Sequence, residues 1–253
     1  MKSFFHFKWI PNLFTFGNLL LGFYAILITL TYHHNPELLK VAGFLIILAA
    51  LLDGMDGFFA RLLRASSEIG AQLDSLADLT TFGVAPAVLF YSIFFQDMHV
   101  GFQSFSIPLG ILLAGIYPAS AAFRLARFNV HHSEDSFDGL PSPIAGLVIA
   151  LIPLMTYELE VPIPNIVFIV IFFLLSYLMV STLKYSKIQV SIFRRFTRFR
   201  AILFLVSFFM IMMFIHIKFG TNISASVLFI LILIYVFSGI ISFVIHLIQI
   251  KKL

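Results

Sequence analysis

Residues 38–95 read LLKVAGFLIILAALLDGMDGFFARLLRASSEIGAQLDSLADLTTFGVAPAVLFYSIFF, two long apolar runs joined by a short polar turn. A helix that crosses the hydrocarbon core of a bilayer needs about 20 mostly apolar residues. Both runs are long enough, and each carries two aspartates: Asp53 and Asp56 in the first, Asp74 and Asp78 in the second. The stretch therefore predicts an antiparallel pair of transmembrane helices with carboxylates inside the bilayer.

The whole chain has the composition of a membrane protein. Of its 253 residues, 60% are hydrophobic and 11% are charged, whereas soluble domains contain about 45–50% apolar and about 25% charged residues. Soluble globular and disordered proteins are both excluded. We predict a single, all-α, polytopic membrane domain over residues 1–253, with about eight transmembrane helices. The apolar runs lie at residues 12–32, 38–63, 69–95, 107–130, 143–158, 163–183, 201–218 and 224–249.

The positions of the basic residues predict the orientation of these helices. The chain has 16 Lys and Arg residues and a net charge of +4. With eight spans, all of them except Lys40 and Lys218 fall on one side of the membrane, which the positive-inside rule assigns to the cytoplasm. Both termini and the loops 61–68, 124–142 and 184–200 are then cytoplasmic. The excess of positive charge is explained by orientation, so no nucleic-acid partner is expected.

The four aspartates are predicted to meet. Asp53 and Asp56 are spaced i, i+3 and Asp74 and Asp78 are spaced i, i+4, so each pair lies on one helix face. Both pairs lie at similar distances from the turn at residues 66–67, hence at one depth. Converging carboxylates repel one another, and a bound divalent cation supplies the compensating charge. An all-oxygen ligand set suits Mg²⁺, Mn²⁺ or Ca²⁺ rather than zinc.

The residues around the aspartates suit a phosphate ligand. Gly57 and Ala60 lie on the Asp53/Asp56 face, and Gly70 lies one turn before Asp74, so small side chains leave room beside the metal. Arg61 and Ser67 follow on the cytoplasmic side, together with a helix N-terminus that favours anions. Metal-assisted phosphoryl chemistry is the function that these residue types favour.

A different class of function also uses intramembrane carboxylates. Proton relays and ion pathways contain them, so a cation-coupled transporter is an alternative hypothesis. A transporter needs a polar pathway that reaches the other side of the membrane. The acidic cluster is confined to the predicted cytoplasmic half, which favours an enzyme.

Residues 53–78 match the pattern D-x-x-D-G-x-x-A-R, eight residues, G-x-x-x-D-x-x-x-D at every fixed position. This pattern resembles the signature of the CDP-alcohol phosphatidyltransferase family. Further segments are similar to the branch of that family whose acceptor is L-serine: Pro11-Asn-Leu-Phe-Thr15, Asn18, Gly22, Phe82-Gly-Val-Ala-Pro86, Arg124-Leu-Ala-Arg-Phe-Asn129 and Gly139-Leu-Pro-Ser-Pro143. The resemblance marks residues 11–147 as a catalytic core and 148–253 as additional helices.

The resemblance implies an enzyme of the cytoplasmic membrane that faces the cytoplasm and acts as a homodimer in phospholipid synthesis. Such enzymes transfer a phosphatidyl group from CDP-diacylglycerol to an alcohol, here L-serine, and release CMP. The family pattern implies that the four aspartates hold two divalent cations, Mg²⁺ or Mn²⁺, and that Asp78 is also the general base. The residues implied to bind CDP-diacylglycerol are Gly57, Ala60, Arg61, Ser67 and Gly70.

The acceptor site is predicted where the fourth apolar run reaches the cytoplasm. Arg124 and Arg127, spaced i, i+3, and Asn129 are candidates to bind the serine carboxylate or a lipid phosphate. The alternative interpretation is that these arginines only anchor the helix at the membrane surface. A second alternative is that the acceptor is glycerol 3-phosphate, because the same two arginines suit its phosphate.

Overall fold

A computed structural model of the chain describes residues 9–32, 35–63, 67–102, 105–130, 137–156, 163–185 and 198–250. Long apolar helices dominate these residues, as the hydrophobic runs predict. The helices are α1 (Ile10–Leu30), α2 (Pro36–Leu63), α3 (Glu68–Phe95), α4 (Leu109–Val130), α5 (Ser142–Thr156), α6 (Asn165–Val180) and α7 (Arg198–Ile250).

Five of the described helical segments are long and apolar enough to cross a membrane. They are Pro11–Leu30, Pro36–Ala60, Glu68–Phe95, Leu109–Val130 and Met210–Ile241. Helices α5 and α6 are apolar but shorter. The chain is therefore an all-α integral membrane protein.

The last two predicted runs, 201–218 and 224–249, correspond to two helical segments of α7 that meet at a kink at Gly220. This helix is interrupted at Gly220, whose backbone has φ +85° and ψ 178°. Glycine adopts this conformation without the steric cost that a Cβ brings. The total of eight transmembrane helices stays a prediction.

Among the described residues, four short strands lie in the connections between helices. Strands β1 (Val100–Phe102) and β2 (Phe105–Ile107) form an antiparallel pair between α3 and α4. Strands β3 (Phe137–Asp138) and β4 (Lys184–Tyr185) pair in the same way and connect the segment before α5 to the segment after α6.

Helix α3 is continuous but not regular. After Asp78 it widens into π-helical turns at Leu79–Val84 and again at Tyr91–Phe95. In the first wide turn the Ala85 N–H bonds to the carbonyl of Thr80, five residues back. Pro86 follows, and a proline ring clashes with the carbonyl four residues earlier in a regular helix. The wide turn accommodates this proline and lies directly after the fourth aspartate.

Two groups of buried side chains hold the bundle together. One lies among α1, α2, α3 and α5 and includes Ala42, Ile46, Phe82 and Leu89. The larger group joins α3, α4, α5, α6 and α7. Within it, aromatic rings of α3, α4 and α6 stack, among them Phe90 against Phe172 with centroids 4.3 Å apart. Helix α3 contributes to both groups and is the central element of the fold.

Candidate active site

Three of the four aspartates form one cluster. Asp53 and Asp56 come from α2 and Asp74 from α3, and one carboxylate oxygen from each lies within 4.8 Å of the other two. Asp56 is 6% exposed, and the other two side chains are partly buried. The i, i+3 spacing on α2 and the hairpin connection to α3 bring these groups together, as the sequence predicts.

Asp78 lies beside this triplet rather than inside it. Its carboxyl group is within hydrogen-bonding reach of Asp53, and its side chain is 8% exposed. It also faces α1, where Asn18 Nδ2 donates to Asp78 Oδ1 over 3.4 Å. The family pattern implies four metal ligands, with Asp78 also the base, whereas the structure clusters Asp53, Asp56 and Asp74 and places Asp78 beside them.

The triplet is suited to a divalent cation. Among the side chains that the structure describes, none of the four aspartates forms a salt bridge. Asp74 Oδ1 is buried and has no hydrogen-bond partner. Carboxylate oxygens held this close together repel one another unless a cation lies beside them. Oxygen atoms of this kind are the ligands that Mg²⁺ and Mn²⁺ prefer. The residues present therefore fit a metal of this class.

A cavity of about 190 Å³ opens beside the aspartates. Helices α2 and α3 contribute the predicted small or polar residues, and α1 contributes three residues of its own. Helix α1 packs against both other helices, whereas α2 and the first part of α3 approach each other less closely. The cavity lies in this gap. Its lining residues are Pro11, Asn12, Thr15, Asp56, Gly57, Ala60, Ser67, Gly70, Ala71 and Asp74.

The absence of a side chain at Gly70 keeps this cavity open. A Cβ there would lie 3.0 Å from Ser67 Oγ and 3.3 Å from Asn12 Oδ1. Ser67 is the N-cap of α3, where its Oγ accepts a hydrogen bond from the Gly70 N–H over 3.0 Å. The capping bond fixes the start of α3 at the edge of the cavity. The Arg61 backbone lies in the last turn of α2, and its side chain lies outside the described residues.

Sequence reasoning did not assign a role to the α1 residues. Thr15 Oγ1 donates to Asp56 Oδ2 over 2.9 Å and so orients a carboxylate of the triplet. Thr15 lies in the segment 11–15, which the family resemblance includes. The family resemblance therefore pointed to Thr15. Its contact with Asp56 joins residues 41 positions apart, so no local sequence pattern reveals it.

The two candidate arginines of the acceptor site have different surroundings. Arg124 is 7% exposed, donates from Nη1 to Ser142 Oγ over 2.9 Å, and has a buried Nε without a hydrogen-bond partner. It lies close enough to Asp78 and to Tyr235 of α7 for electrostatic interaction with both. Arg124 thus belongs to the surroundings of the aspartates.

Arg127 instead contacts the C-terminal end of α6. Its guanidinium donates to the carbonyl oxygens of Met179, Val180 and Ser181 at 3.4, 2.9 and 3.0 Å. The last carbonyls of a helix lack partners within the helix, so this arginine acts as a cap. The structure therefore gives Arg127 a structural role in joining α4 to α6, which the i, i+3 spacing did not predict.

Asn129 contacts α3 next to the triplet. Its Nδ2 donates to Ser75 Oγ over 3.0 Å, and Ser75 Oγ lies 3.1 Å from the Ala71 carbonyl. Ser75 directly follows Asp74 in the chain. This contact ties the C-terminal end of α4 to the turn of α3 that carries Asp74.

Comparison with known proteins relates this site to one family. A sequence model of the CDP-alcohol phosphatidyltransferase family matches residues 8–188. The chain is 37% identical over 180 residues to the CDP-diacylglycerol–serine O-phosphatidyltransferase of Bacillus subtilis, covering 70% of this chain and 90% of that protein. It is 33% identical over 184 residues to the enzyme of that name from Helicobacter pylori, covering 71% and 72% of the two chains.

A eukaryotic protein gives a similar result. The Saccharomyces cerevisiae protein named CDP-diacylglycerol–serine O-phosphatidyltransferase is 36% identical over 155 residues, covering 54% of this chain and 52% of that protein. The family match spans the aspartate triplet, Asp78, the cavity and Arg124, and it ends before α7 and Tyr235. The chain belongs to the CDP-alcohol phosphatidyltransferase family.

Proposed function

We propose that this protein is a CDP-diacylglycerol–serine O-phosphatidyltransferase. The serine hydroxyl oxygen bonds to the phosphorus of the phosphatidyl group, the bond from that phosphorus to CMP breaks, and phosphatidylserine and CMP are formed. The observation that carries the proposal is the triplet Asp53, Asp56 and Asp74, of which Asp56 and Asp74 line a cavity of about 190 Å³. The relatives named for this activity support serine as the acceptor.

Divalent cations, Mg²⁺ or Mn²⁺, are part of the proposal. Asp53, Asp56 and Asp74 would hold them, with Asp78 at the edge of the site as the fourth ligand. Bound cations would bind the pyrophosphate and stabilise the charge that develops on the attacking and leaving oxygens. Thr15 supports this role because its hydrogen bond fixes the orientation of Asp56.

The donor is proposed to occupy the cavity among α1, α2 and α3. Gly57, Ala60 and Gly70 leave space for the cytidine diphosphate part, while Ser67 and Arg61 are its polar contacts at the cytoplasmic end. The gap between α2 and α3 also gives the acyl chains of a lipid donor an exit toward the bilayer. Substrate and product without acyl chains, serine and CMP, exchange with the aqueous phase.

Asp78 is proposed to accept the proton of the serine hydroxyl. A hydroxyl is a weak nucleophile, so a carboxylate within hydrogen-bonding reach lowers the barrier to attack. The position of Asp78 beside Asp53, outside the triplet, supports a role that differs from that of the other aspartates. The absence of cysteine from the chain excludes a thiol nucleophile, and direct in-line attack is the proposed route.

Arg124 is proposed to bind the serine carboxylate. Its partnerless Nε and its proximity to Asp78 support this assignment, because a guanidinium binds a carboxylate with two parallel hydrogen bonds. Asn129 is proposed as a nearby polar contact. The sequence also nominates Arg127, but its bonds to the α6 carbonyls favour a structural role.

The remaining proposals concern the protein in the membrane. We propose eight transmembrane helices with both termini in the cytoplasm, based on the distribution of Lys and Arg. The protein would then be placed in the cytoplasmic membrane with the aspartates facing the cytoplasm. A homodimer is proposed from family membership.

The first prediction tests the acceptor. Purified protein with CDP-diacylglycerol is offered serine, glycerol 3-phosphate or inositol phosphate in parallel, and CMP release and the lipid product are measured. We expect phosphatidylserine as the dominant product. Phosphatidylglycerophosphate as the main product would show that the acceptor assignment is wrong while the catalytic core is retained.

The second prediction separates Asp78 from the triplet. Asp78→Asn is expected to lower kcat by at least about 100-fold with little change in CDP-diacylglycerol affinity, since loss of a general base removes about 10²–10⁴-fold of rate. Asp74→Asn is expected to weaken both metal and donor binding. Near-normal turnover by Asp78→Asn would mean that another group is the base.

The third prediction concerns Arg124. Arg124→Lys keeps the charge but loses the two-point geometry, so the serine KM is expected to rise about tenfold while donor affinity stays unchanged. Arg127→Lys is the matched variant, expected to lower the melting temperature rather than to raise the serine KM. If Arg124→Lys has the serine KM of the parent, the carboxylate is bound elsewhere.

A further inference from the structure

Asn18 of α1 contacts Asp78, the proposed general base, but the proposed reaction assigns Asn18 no role. Its side chain is completely buried. Its Nδ2 donates to Asp78 Oδ1 over 3.4 Å. Its own backbone carbonyl accepts a hydrogen bond from Thr81 Oγ1 over 3.0 Å, and Thr81 is also completely buried. Asn18 therefore contacts α3 twice, through its side chain at Asp78 and through its main chain one turn later.

The hydrogen bond from Thr81 joins two helices, as does the one from Thr15 to Asp56. The hydroxyls of Thr29, Thr80 and Thr156 each donate to the carbonyl four residues earlier in their own helix. Thr81 instead donates across to another helix. It lies in the wide turn Leu79–Val84, which directly follows Asp78. Departures from regular helical geometry of this kind occur frequently at functional sites.

Gly22 makes the bond to Asn18 possible. It lies four residues after Asn18 in α1, on the same helix face. A Cβ at Gly22 would come within 3.0 Å of the Thr81 Cα and Cβ. The Asn18 carbonyl has two lone pairs, so it can accept from Thr81 and from the helix at once. The close approach of α1 and α3 thus depends on a missing side chain at this position.

The same asparagine lowers the stability of the fold. Asn18 Oδ1 is buried and has no hydrogen-bond partner. A buried polar atom without a partner is unfavourable, and an apolar side chain of similar size would avoid this penalty. Stability alone therefore gives no reason for an amide at this position, whereas a hydrogen-bond donor next to Asp78 does.

We propose that Asn18 is a positioning residue for Asp78. Its amide holds one oxygen of the Asp78 carboxylate, and the other oxygen stays directed at the acceptor hydroxyl. Thr81 and Gly22 hold the α1 turn that carries Asn18 against α3. The inference rests on the proposed function, because it requires Asp78 to act as the base.

The test compares Asn18→Leu with the parent protein, using CMP release from CDP-diacylglycerol and serine in mixed micelles. Leucine has the same branched skeleton of heavy atoms but no hydrogen-bond donor. We expect kcat to fall about 10- to 100-fold, since small misplacements of a reacting group cost up to about 100-fold. The donor KM is expected to stay within about twofold, and the melting temperature to be unchanged or higher, because the partnerless Oδ1 is removed.

A second pair of variants tests the support from Thr81. Thr81→Val removes the bond to the Asn18 carbonyl and is expected to lower kcat severalfold, whereas Thr81→Ser keeps the hydroxyl and is expected to restore it. Thr80→Val is the matched control, since the Thr80 hydroxyl bonds only within α3. The double variant Asn18→Leu/Thr81→Val should be no slower than Asn18→Leu alone, because both changes act through Asp78.

The outcomes separate this inference from the proposed function. An inactive Asp78→Asn together with a parental kcat for Asn18→Leu would overturn the positioning role and leave the function intact. A raised donor KM, or a loss of kcat matched by a lower melting temperature, would also overturn it, by showing a binding or structural role. Full activity of Asp78→Asn would instead refute the assignment of the base, and the positioning role with it.

Discussion

The crowding of carboxylates inside a membrane protein is the constraint on which the rest of this structure depends. Asp53, Asp56 and Asp74 bring their oxygens within 4.8 Å of one another, with Asp78 adjacent. Such a group is unfavourable in a medium of low polarity unless a cation offsets the charge. The fold gives the aspartates little charge compensation. Among the described side chains no salt bridge reaches them, and Asp78 is the one aspartate whose charge interacts with Arg124. The triplet therefore has the ligands and the uncompensated charge that suit a bound metal ion.

Helix α1 packs against the hairpin of α2 and α3 and adds side chains to the site. It contacts α2 through Thr15, which orients Asp56, and α3 through Asn18, which touches Asp78. It also lines the cavity with Pro11 and Asn12. Every one of these contacts is polar or lies beside a polar group, although α1 is otherwise one of the most apolar helices. The same helix thus carries a lipid-compatible surface outside and the polar supports of the aspartates inside.

Sequence patterns predicted the parts of this site that lie close together in the chain. The apolar runs and the spacing of the aspartates predicted α2, α3 and the meeting of their carboxylates. Positions along the same two helices also placed Gly57, Ala60, Ser67 and Gly70 beside them. The contacts of Thr15 and Asn18 were not predicted, because they join residues 41 and 60 positions apart. Spacing put Arg124 and Arg127 on one face but could not show that the α6 carbonyls, more than 50 residues later, bind Arg127. Hydropathy did separate the runs 201–218 and 224–249, and the structure has a non-helical residue, Gly220, between them.

The central claim is that the aspartate triplet is a divalent-metal site required for phosphatidyl transfer. The most direct measurement titrates metal-free protein with Mn²⁺, follows the bound ion by electron paramagnetic resonance, and assays CMP release in the same samples. The predicted result is no turnover without metal, recovery in step with Mn²⁺ binding, recovery also with Mg²⁺, and at least tenfold weaker Mn²⁺ binding in Asp74→Asn. Full turnover in excess EDTA, with no Mn²⁺ bound at the triplet, would contradict it.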